Sequence, residues 1–488
     1  MFQILIVLFT LAFAHASFAQ PNPDTLWTHT YGGSSRDEAN SVQQTTDGGY
    51  IAAGYTSSFG AGTSDFYLVK TNSYGEPLWT RTYGGSSRDE ANSVQQTTDG
   101  GYIVAGYTRS CGAGEADFYL VTTNYPSDTL WTRTYGGSSF DEARSVQQTT
   151  DSGYIMAGYT TSFGAGGRDF YLVKTNSFGD TLWTRTYGGS SEDWANSAQQ
   201  TADGGYIVAG YTYSFGAGYT DFYLVKTNPL GDTLWTRTYE GSYNDRAFSV
   251  QQTADGGYIV AGETESFGAG EYDLYVVKTN SQGDMLWTRT YGGSGDDRAE
   301  SVQQTADGGY IVAGWTLSFG AGTPDSSNFY LVKMDSQGDT LWTRTYGGSS
   351  DDWANCVQQT ADGGYVVAGY TYSFGAGGRD CHLVKTGPDI LGAEPVGINV
   401  PSEYILCPNF PNPFNPSTQI SYELPKMSPV SLKVFNLLGQ EVANLVDEIQ
   451  AAGIQSVTFD GSQLPSGIYF YRLQAGESVQ TKKMVLLK

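Results

Sequence analysis

The chain has 488 residues, and its 50 Asp and Glu against 26 Lys and Arg give a formal net charge of −24 at pH 7. An acidic chain repels phosphate backbones and anionic lipid headgroups, which excludes binding to nucleic acid or to a membrane surface by general electrostatics. The length allows more than one domain.

The first element is an apolar stretch at the N-terminus. The run from Ile4 to Ala14 is followed by small residues that end at Ala19, directly before Gln20. This order predicts a secretory signal peptide over residues 1–19, cut after Ala19. A transmembrane helix needs roughly 20 consecutive apolar residues, so the sequence predicts no membrane span here or later in the chain.

Seven copies of one sequence unit follow. Each copy is anchored by a Trp, and the spacing between successive Trp residues is 52 five times and then 55. The anchors of copies 1 to 7 are Trp27, Trp79, Trp131, Trp183, Trp235, Trp287 and Trp342. A fixed period of this length is typical of solenoids, propellers and arrays.

Four short strand-like runs, separated by turn residues, make up each period. In one period they are SVQQT (93–97), YIVAGYT (102–108), DFYLVTTN (117–124) and DTLWTRTY (128–135). The Asp and Gly of TDGG between the first two favour tight hairpins, which predicts a four-stranded antiparallel sheet. Because YIVAG is apolar on both faces, each sheet should be covered on both sides by its neighbours.

The two ends of the repeat region complement each other. DTLWTHTY at 24–31 is a fourth strand with nothing before it, and DCHLVKT at 380–386 is a third strand with nothing after it. Pairing them removes two free sheet edges. The sequence therefore predicts an all-β fold, with a closed seven-bladed β-propeller of four-stranded blades over residues 20–386 whose seventh blade is closed by 24–31.

Two polar positions recur in every copy. Ten residues after each Trp lies an Asp, and the set is Asp37, Asp89, Asp141, Asp193, Asp245, Asp297 and Asp352. We expect each to accept backbone N–H bonds in its loop or to pair with an Arg of LWTRT. Calcium is the alternative, although no D-x-D-x-D-G run is present. A Gln pair recurs on the predicted innermost strand, so at least one Gln of each pair should face a central channel that holds water or an axial ligand.

Variation between copies is concentrated in two longer loops, YGGSSxDxA and SFGAGxxD, which strand alternation places at the same end of every sheet. Loops on a rigid scaffold commonly carry function. The candidate ligand-binding residues in these loops are Trp194, Tyr213, Trp353, Tyr372, Arg246 and Arg298. Exposed aromatic rings beside polar groups suit sugar rings or a protein partner. The alternative is that these aromatic rings pack on neighbouring blades.

Residues suited to catalysis are few. Beyond the signal peptide the sequence has only His29 and His382, and neither fits a metal or triad spacing. We therefore predict no catalytic residue, no metal ligand and no cofactor, with calcium left possible. The cysteines predict neither a disulfide framework nor a zinc site, and they are Cys111, Cys356, Cys381 and Cys407.

The period ends after Lys385, and the rest of the chain has a different composition. Residues 387–404 are rich in Gly and Pro and predict a linker. Residues 405–488 contain alternating runs such as VSLKVFNL, QSVTFDG, GIYFYRLQ and KKMVLLK, which predict a small Ig-like β-sandwich.

This C-terminal part closely resembles the type A sorting domain of type IX secretion cargo, whose fold is similar to the Ig-like domain of flagellar hook-capping proteins. The resemblance is carried by NFPNPFNPST (409–418), VFNLLGQEV (434–442), LPSGIYFYRL (464–473) and KKMVLLK (482–488). It implies export, recognition by the type IX machinery, and a final location that is extracellular or attached to the outer-membrane surface. The residues it implies as sorting signal are Gly467, Tyr469, Lys482, Lys483 and Lys488.

The repeats, in turn, look like the DGGYIVAGYT-type β-propeller repeats of such secreted proteins, a likeness that implies fold only. Two functional hypotheses follow. The first is a secreted or surface-displayed binding module, monomeric, for a glycan or an extracellular protein. The alternative is an extracellular polysaccharide-degrading enzyme that uses loop carboxylates, because a glycosidase needs only two.

Overall fold

The computed structural model describes residues 23–239, 241–321 and 326–389 and, in the C-terminal part, residues 404–487 except 407, 408, 410, 411, 425–427, 451, 452 and 477. Contacts divide the chain into two units, 1–390 and 391–488, and each is described by itself. The predicted signal peptide, most of the predicted linker and Lys488 lie outside the described residues.

The described part of the first unit consists of strands joined by turns and loops, with no helix. In chain order the strands are β1 Thr25–Tyr31, β2 Asp37–Gln44, β3 Tyr50–Thr56, β4 Asp65–Thr71, β5 Pro77–Tyr83, β6 Asp89–Gln96, β7 Tyr102–Thr108, β8 Asp117–Thr123, β9 Thr129–Tyr135, β10 Asp141–Gln148, β11 Tyr154–Thr160, β12 Asp169–Thr175, β13 Thr181–Tyr187, β14 Asp193–Gln200, β15 Tyr206–Thr212, β16 Asp221–Thr227, β17 Thr233–Tyr239, β18 Asp245–Gln252, β19 Tyr258–Thr264, β20 Asp273–Thr279, β21 Met285–Tyr291, β22 Asp297–Gln304, β23 Tyr310–Thr316, β24 Asn328–Met334, β25 Thr340–Tyr346, β26 Asp352–Gln359, β27 Tyr365–Thr371 and β28 Asp380–Thr386.

These strands form seven four-stranded antiparallel sheets within the described residues, which confirms the predicted blade. Sheets 1 to 6 each take four consecutive strands, from β2–β5 to β22–β25, and sheet 7 has the order β1-β28-β27-β26. The hairpin that carries the TDGG turn is tight because a residue of the turn adopts a positive φ, which is Gly in six sheets, as at Gly48 with φ 80°, and Ser152 with φ 64° in the β10–β11 hairpin. We call the end of the sheets that carries the TDGG hairpins the turn end, and the opposite end the loop end.

Apolar clusters lie between successive sheets. Ile51 and Leu68 of sheet 1, for example, pack with Val94 and Val104 of sheet 2, and all four are buried. Both faces of the middle strands are buried in this way, as their two-sided apolar pattern predicts. Burial of aliphatic side chains contributes about 25 cal/mol per Å² of apolar surface, so these interfaces are the main source of stability in the unit.

Sheet 7 is built from both ends of the repeat region. β1 pairs antiparallel with β28, with Thr28 opposite Val384 and Tyr31 opposite Cys381. Val366 and Leu383 of sheet 7 share an apolar cluster with residues of sheet 1. Sheets 7 and 1 are therefore packed neighbours in the same way as sheets 1 and 2.

The recurrent Asp ten residues after each Trp has the structural role that the sequence predicts. Asp37 is fully buried, and its Oδ2 accepts hydrogen bonds from the Gly33 backbone N–H at 2.8 Å and the Ser58 hydroxyl at 2.6 Å. Asp89 makes the same two contacts with Gly85 and Ser110. This Asp thus ties the two long loops of its own sheet together.

The second unit, residues 391–488, contains two sheets in its described part. Their strands are β29 Ile405–Leu406, β30 Ser417–Leu424, β31 Ser428–Phe435, β32 Glu441–Gln450, β33 Gly453–Asp460, β34 Gly467–Ala475 and β35 Ser478–Leu486. One sheet has the order β29-β30-β33 and the other β32-β31-β34-β35. Residues from both sheets, including Ile420 and Tyr471, form one buried core, which is how two packed sheets are stabilised.

No helix in the described residues is long and apolar enough to cross a bilayer. Cys111, Cys356 and Cys381 are free thiols, whereas Cys407 lies outside the described residues.

Candidate functional site

The two long loops of each sheet meet at the loop end. The Ser57 backbone N–H donates to the Arg36 carbonyl at 2.7 Å, and the Ser35 N–H donates to the Ser58 hydroxyl at 2.9 Å. The Thr63 N–H donates to the Ser87 carbonyl of the next sheet at 3.0 Å. Neighbouring loops therefore form one continuous surface, and it is the surface on which the copies differ.

One side chain from each of the seven sheets contributes to a common cavity wall at the loop end. Each lies at the position thirteen residues after the anchor Trp, and we call these the mouth positions. They are Asn40, Asn92, Arg144, Asn196, Phe248, Glu300 and Asn355. Several of the Asn amides bridge to the next sheet, as Asn40 does by donating to the Ala91 carbonyl at 2.8 Å. Arg144, Phe248 and Glu300 replace the Asn that the other four copies have at this position.

All seven mouth positions line a cavity of about 280 Å³, which we call the mouth cavity. Trp194, Tyr211 and Arg298 complete its wall. A second cavity of about 690 Å³, the sheet-7 cavity, adjoins it and shares Asn40, Glu300 and Asn355. The two cavities together form the candidate site.

The sheet-7 cavity combines aromatic and polar groups. Its other lining residues are Glu38, Ser326, Ser349, Ser350, Asp351, Trp353, Tyr370, Tyr372, Gly377, Gly378 and Arg379. Arg379 lies over the Tyr370 ring at 4.3 Å and donates from Nε to the Tyr372 hydroxyl at 2.9 Å, and it also pairs with Glu38. Because the guanidinium contacts all three groups, it fixes the geometry of this wall.

Trp353 is held from both sides. Its ring stacks on Trp315 with centroids 4.7 Å apart and contacts the tilted Tyr370 ring at 5.5 Å, and its indole Nε1 donates to the Ser327 hydroxyl at 2.5 Å. The neighbouring Tyr372 is 38% exposed. Trp353 therefore packs within the protein while it lines the cavity, and Tyr372 presents ring surface to solvent.

Trp194 lies in a similar stack. Its ring contacts Tyr159 at 4.4 Å and Tyr211 at 5.8 Å, and the Arg168 guanidinium lies 4.3 Å from its centroid. Both Trp rings therefore pack largely against other side chains of the protein, as the alternative to ligand binding in the sequence analysis stated. Tyr213 is 44% exposed at the edge of Tyr211 and is not part of either cavity wall.

The two candidate arginines share one acidic partner. Glu263 pairs with Arg246 at 3.1 Å and with Arg298 at 3.5 Å. Arg298 also pairs with Glu300 at 2.7 Å and lies 3.8 Å from the centroid of the Phe248 ring. Of the two, only Arg298 lines the mouth cavity.

Glu300 is the carboxylate that belongs to both cavities. Burial raises its pKa, and the neighbouring Arg298 opposes that rise. A carboxyl group with a raised pKa at a cavity wall can hold a proton at a pH where exposed carboxylates have lost theirs.

The two His residues lie elsewhere. His29 and His382 line a separate cavity of about 400 Å³, together with Tyr346 and Phe374. His382 stands where other copies have Tyr, and burial lowers its pKa to about 4. It is therefore neutral at neutral pH. Among the described residues no group of three or more His, Cys, Asp or Glu side chains is arranged to hold a metal ion.

The sequence analysis missed the mouth positions. Their signal is present in the sequence, since the seven copies read Asn, Asn, Arg, Asn, Phe, Glu and Asn at this position. The variation at the mouth positions becomes visible when the copies are compared position by position along the inner strand as well as in the loops.

In the second unit, four residues of the implied sorting signal are described. Tyr469 is buried in the core, and its hydroxyl donates to the Pro465 carbonyl at 2.8 Å. Gly467 begins β34 opposite Leu486 of β35. Lys482 and Lys483 lie on β35, where Lys483 is exposed.

The chain is an all-β protein in which propeller-type repeats are followed by a small two-sheet domain. Residues 409–487 match the family model of the secretion system C-terminal sorting domain, and residues 201–233 match a β-propeller domain of unknown function. The C-terminal part is therefore a type IX secretion sorting domain, as its motifs predict, and the protein is cargo that reaches the exterior or the cell surface.

One curated relative is the regulatory protein FlaEY of Caulobacter vibrioides, 26% identical over 138 residues. That alignment covers 26% of this chain and 14% of the relative, so the chain spans a small part of it.

The solved structures that match this chain are distant in sequence. A fungal alcohol oxidase in complex with copper is 11% identical with a TM-score of 0.44, covering 96% of this chain and all of that one. The polysaccharide lyase Uly1 is 10% identical with a TM-score of 0.44, covering 78% of this chain and 94% of that one. PorZ of Porphyromonas gingivalis, a surface component of the type IX secretion system, is 9% identical with a TM-score of 0.19, covering 92% and 81%. TM-scores below 0.5 give no basis for assigning a function.

Proposed function

We propose that the first unit is a closed seven-bladed β-propeller that binds a glycan outside the cell, and that the C-terminal sorting domain delivers it there. Closure is supported by the pairing of β1 with β28 and by the apolar cluster that joins sheets 7 and 1. It is supported also by Asn355, whose amide donates to the Ala39 carbonyl at 3.0 Å as Asn40 does to Ala91.

The observation that carries the glycan proposal is the composition and place of the sheet-7 cavity. Its volume of about 690 Å³ lies in the range of small-molecule sites. Its wall places the exposed ring of Tyr372 beside the carboxylate of Asp351 and the amide of Asn355. Sugars present apolar C–H faces and hydroxyl edges, which these ring, carboxylate and amide groups match.

Within this site we assign separate roles to the aromatic residues. Tyr372 offers the surface on which a sugar ring stacks, while Trp353 supports the wall from inside its own stack with Trp315. In the mouth cavity Trp194 has the supporting role, and Arg298 offers a donor close to Glu300. Arg246 and Tyr213 lie outside both cavity walls and would contact only a ligand that extends beyond the mouth, such as a longer oligosaccharide.

The experiment is a glycan array probed with the secreted full chain, followed by titration of a bound glycan. We expect Tyr372→Ala to weaken binding at least about tenfold, since loss of a stacking ring removes about 1.4 kcal/mol. The matched control is Leu317→Ala, which changes the same loop position in another copy away from this cavity. Equal loss in both variants, or no bound glycan, contradicts the proposal and favours a protein ligand.

A second candidate function is cleavage of polysaccharide. It is favoured by Glu300, whose pKa is raised by burial and which lines one cavity with Glu38 and Asp351. Glycosidases use one protonated and one ionised carboxyl group. Release of reducing ends from a bound glycan, abolished by Glu300→Gln with binding retained, would establish this activity, and bound glycan without release would exclude it for that ligand.

For the whole chain we propose a signal peptide over 1–19, the propeller over 20–386, a linker over 387–404 and the sorting domain over 405–488, with the mature protein a monomer. The sorting signal comprises Gly467, Tyr469, Lys482, Lys483 and Lys488. Of these, Tyr469 stabilises the domain by its burial, whereas Lys483 is exposed and free to contact the secretion machinery. Replacing Lys482 and Lys483 by Ala should retain the folded chain in the periplasm, as measured by cell fractionation.

A further inference from the structure

A third cavity lies closer to the turn end of the first strand of each of sheets 1 to 6, and of β26 in sheet 7, than the mouth cavity does. Its volume is about 250 Å³, and each of the seven sheets contributes to its wall the first Gln of its pair and the apolar residue before it. The seven first Gln residues are Gln43, Gln95, Gln147, Gln199, Gln251, Gln303 and Gln358. No charged side chain is among the described residues that line this cavity.

Each first Gln is oriented by its neighbour. The Oε1 atom of Gln43 accepts a hydrogen bond from the backbone N–H of Gln96 in the next sheet at 2.6 Å. The same bond, also at 2.6 Å, recurs between every pair of neighbours, including that from the Gln44 N–H to Gln358 Oε1. A backbone N–H can only donate, so the atom facing it must be the amide oxygen and the amide orientation is fixed.

Because the Oε1 atom of each first Gln faces the next sheet, its Nε2 group points away from that backbone N–H. None of the seven Nε2 groups has a hydrogen-bond acceptor among the described residues, although each belongs to a residue on the cavity wall. The second Gln of each pair accepts a backbone N–H at its Oε1, and in five of the seven copies its Nε2 also reaches a carbonyl, as Gln96 does with Thr46 and Gly100. Only the first Gln of each pair lies on the cavity wall, so its Nε2 is the donor available there.

We propose that the seven first Gln residues form an anion-binding ring whose ligand is a small inorganic anion or a carboxylate group. Each amide oxygen of the ring already accepts one N–H, whereas each Nε2 group has two N–H donors without a partner in the described part of the chain, so the ring offers more donors than acceptors and favours an anion over a cation. An anion uses donors alone, whereas a water molecule also needs acceptors for its own hydrogens. Convergent neutral N–H groups bind anions in the same way in backbone nests. This site is independent of the glycan cavities.

The test is the line width of the chloride NMR signal in the presence of the full chain. We expect the wild-type protein to broaden the signal in a saturable way. Sulfate competition identifies an inorganic-anion site, and acetate competition shows that a carboxylate is also accepted. Gln95→Glu keeps the oxygen that accepts the Gln148 N–H but replaces the donor with a charged oxygen. A negative charge in the ring should weaken chloride binding at least about tenfold.

The matched control is Gln96→Glu, which adds the same charge on the neighbouring residue, outside the cavity wall. It should retain most of the broadening. Equal broadening by Gln95→Glu and wild type, or equal loss in both variants, overturns the proposal. If Gln95→Glu fails to fold, bromide-soaked crystals of the wild-type chain decide the question: an anomalous peak within hydrogen-bond distance of the Nε2 atoms supports the ring, and its absence overturns it.

Discussion

The turn end and the loop end of the sheets use Asp in opposite ways. At the turn end, Asp47 accepts hydrogen bonds from Thr45 and Gly49 and pairs with the buried Lys70 at 3.0 Å. Burial opposes ionisation of Asp47, but these hydrogen bonds and the Lys70 charge hold its pKa below its usual value. At the loop end, Asp65 is buried near Asp89, and burial together with that second carboxylate raises the pKa of Asp65.

This difference indicates that the turn end has a structural role and that the loop end is where a binding site can vary. The turn end is nearly identical in all copies, and its Asp is paired with a buried Lys in every sheet except sheet 2, so it stabilises these six sheets in the same way. The loop end keeps carboxylates at a cost in free energy and carries the mouth cavity and the sheet-7 cavity, whose lining residues differ between copies. The paired charges are concentrated at the turn end, which leaves the loop end free to vary.

The largest effect should come from opening sheet 7. Deleting residues 20–31 removes β1, including Trp27, which packs edge-on against Tyr50, and Tyr31, whose hydroxyl donates to the Gly75 carbonyl at 2.6 Å. Loss of two such aromatic residues lowers the free energy of unfolding by more than about 5 kcal/mol. Calorimetry against a chain that begins at Gln20 measures this loss. An unchanged melting temperature would show that β1 does not close the ring.

A smaller loss of stability should distinguish substitution of Trp353 from substitution of Tyr372. Trp353→Ala removes the contacts with Trp315 and Tyr370 and should destabilise the protein by roughly 3 kcal/mol. Tyr372→Ala should change stability by less than about 0.5 kcal/mol, since its ring is partly exposed. Chemical denaturation measures both. Equal losses would show that Tyr372 also packs within the protein and would weaken its role as a stacking surface.

Much of the fold follows from the sequence alone, because period, turn residues and alternation all indicate the same sheet. The site is predicted less completely. Loop variation identified Trp353 and Tyr372, which line one cavity, but it could not show that Trp315, from another copy, covers a face of Trp353. Such contacts depend on how neighbouring sheets are rotated against each other, and no local pattern encodes that rotation. Arg246 and Tyr213 were candidates for the same reason, yet neither lines the mouth cavity or the sheet-7 cavity.

The next effect tests the ion pairs of the turn end. Asp203 pairs with the buried Lys226 at 2.9 Å, whereas sheet 2 has Thr122 in place of this Lys beside Asp99. Asp203→Ala should therefore destabilise the protein by about 1 kcal/mol more than Asp99→Ala, a modest difference because Asp203 is largely exposed. Urea unfolding of both variants checks this. Equal losses would assign the role of Asp to its turn hydrogen bonds alone.

The smallest effect concerns pH and the buried carboxylates of the loop end. The raised pKa of Asp65 means that the folded state favours its protonated form, so its contribution to stability is present at acidic pH and is lost as pH rises through the folded pKa. The lowered pKa of Asp255, about 2, has the opposite effect: its contribution is present above the unfolded pKa and is lost as pH falls towards 2.

The chain contains its own control for this linkage, since Asn328 occupies the position of Asp65 in sheet 6 and its amide donates to the Ala321 carbonyl at 3.0 Å. Asp65→Asn should therefore raise the melting temperature by a few degrees at pH 7 and lose this advantage at acidic pH. Asn328→Asp should lower the melting temperature at pH 7, because it places a carboxylate near Asp352 and removes the amide donor. Thermal melts of both variants between neutral and acidic pH measure the effect. Shifts of the same sign in the two variants would contradict the assignment of an electrostatic cost to the loop end.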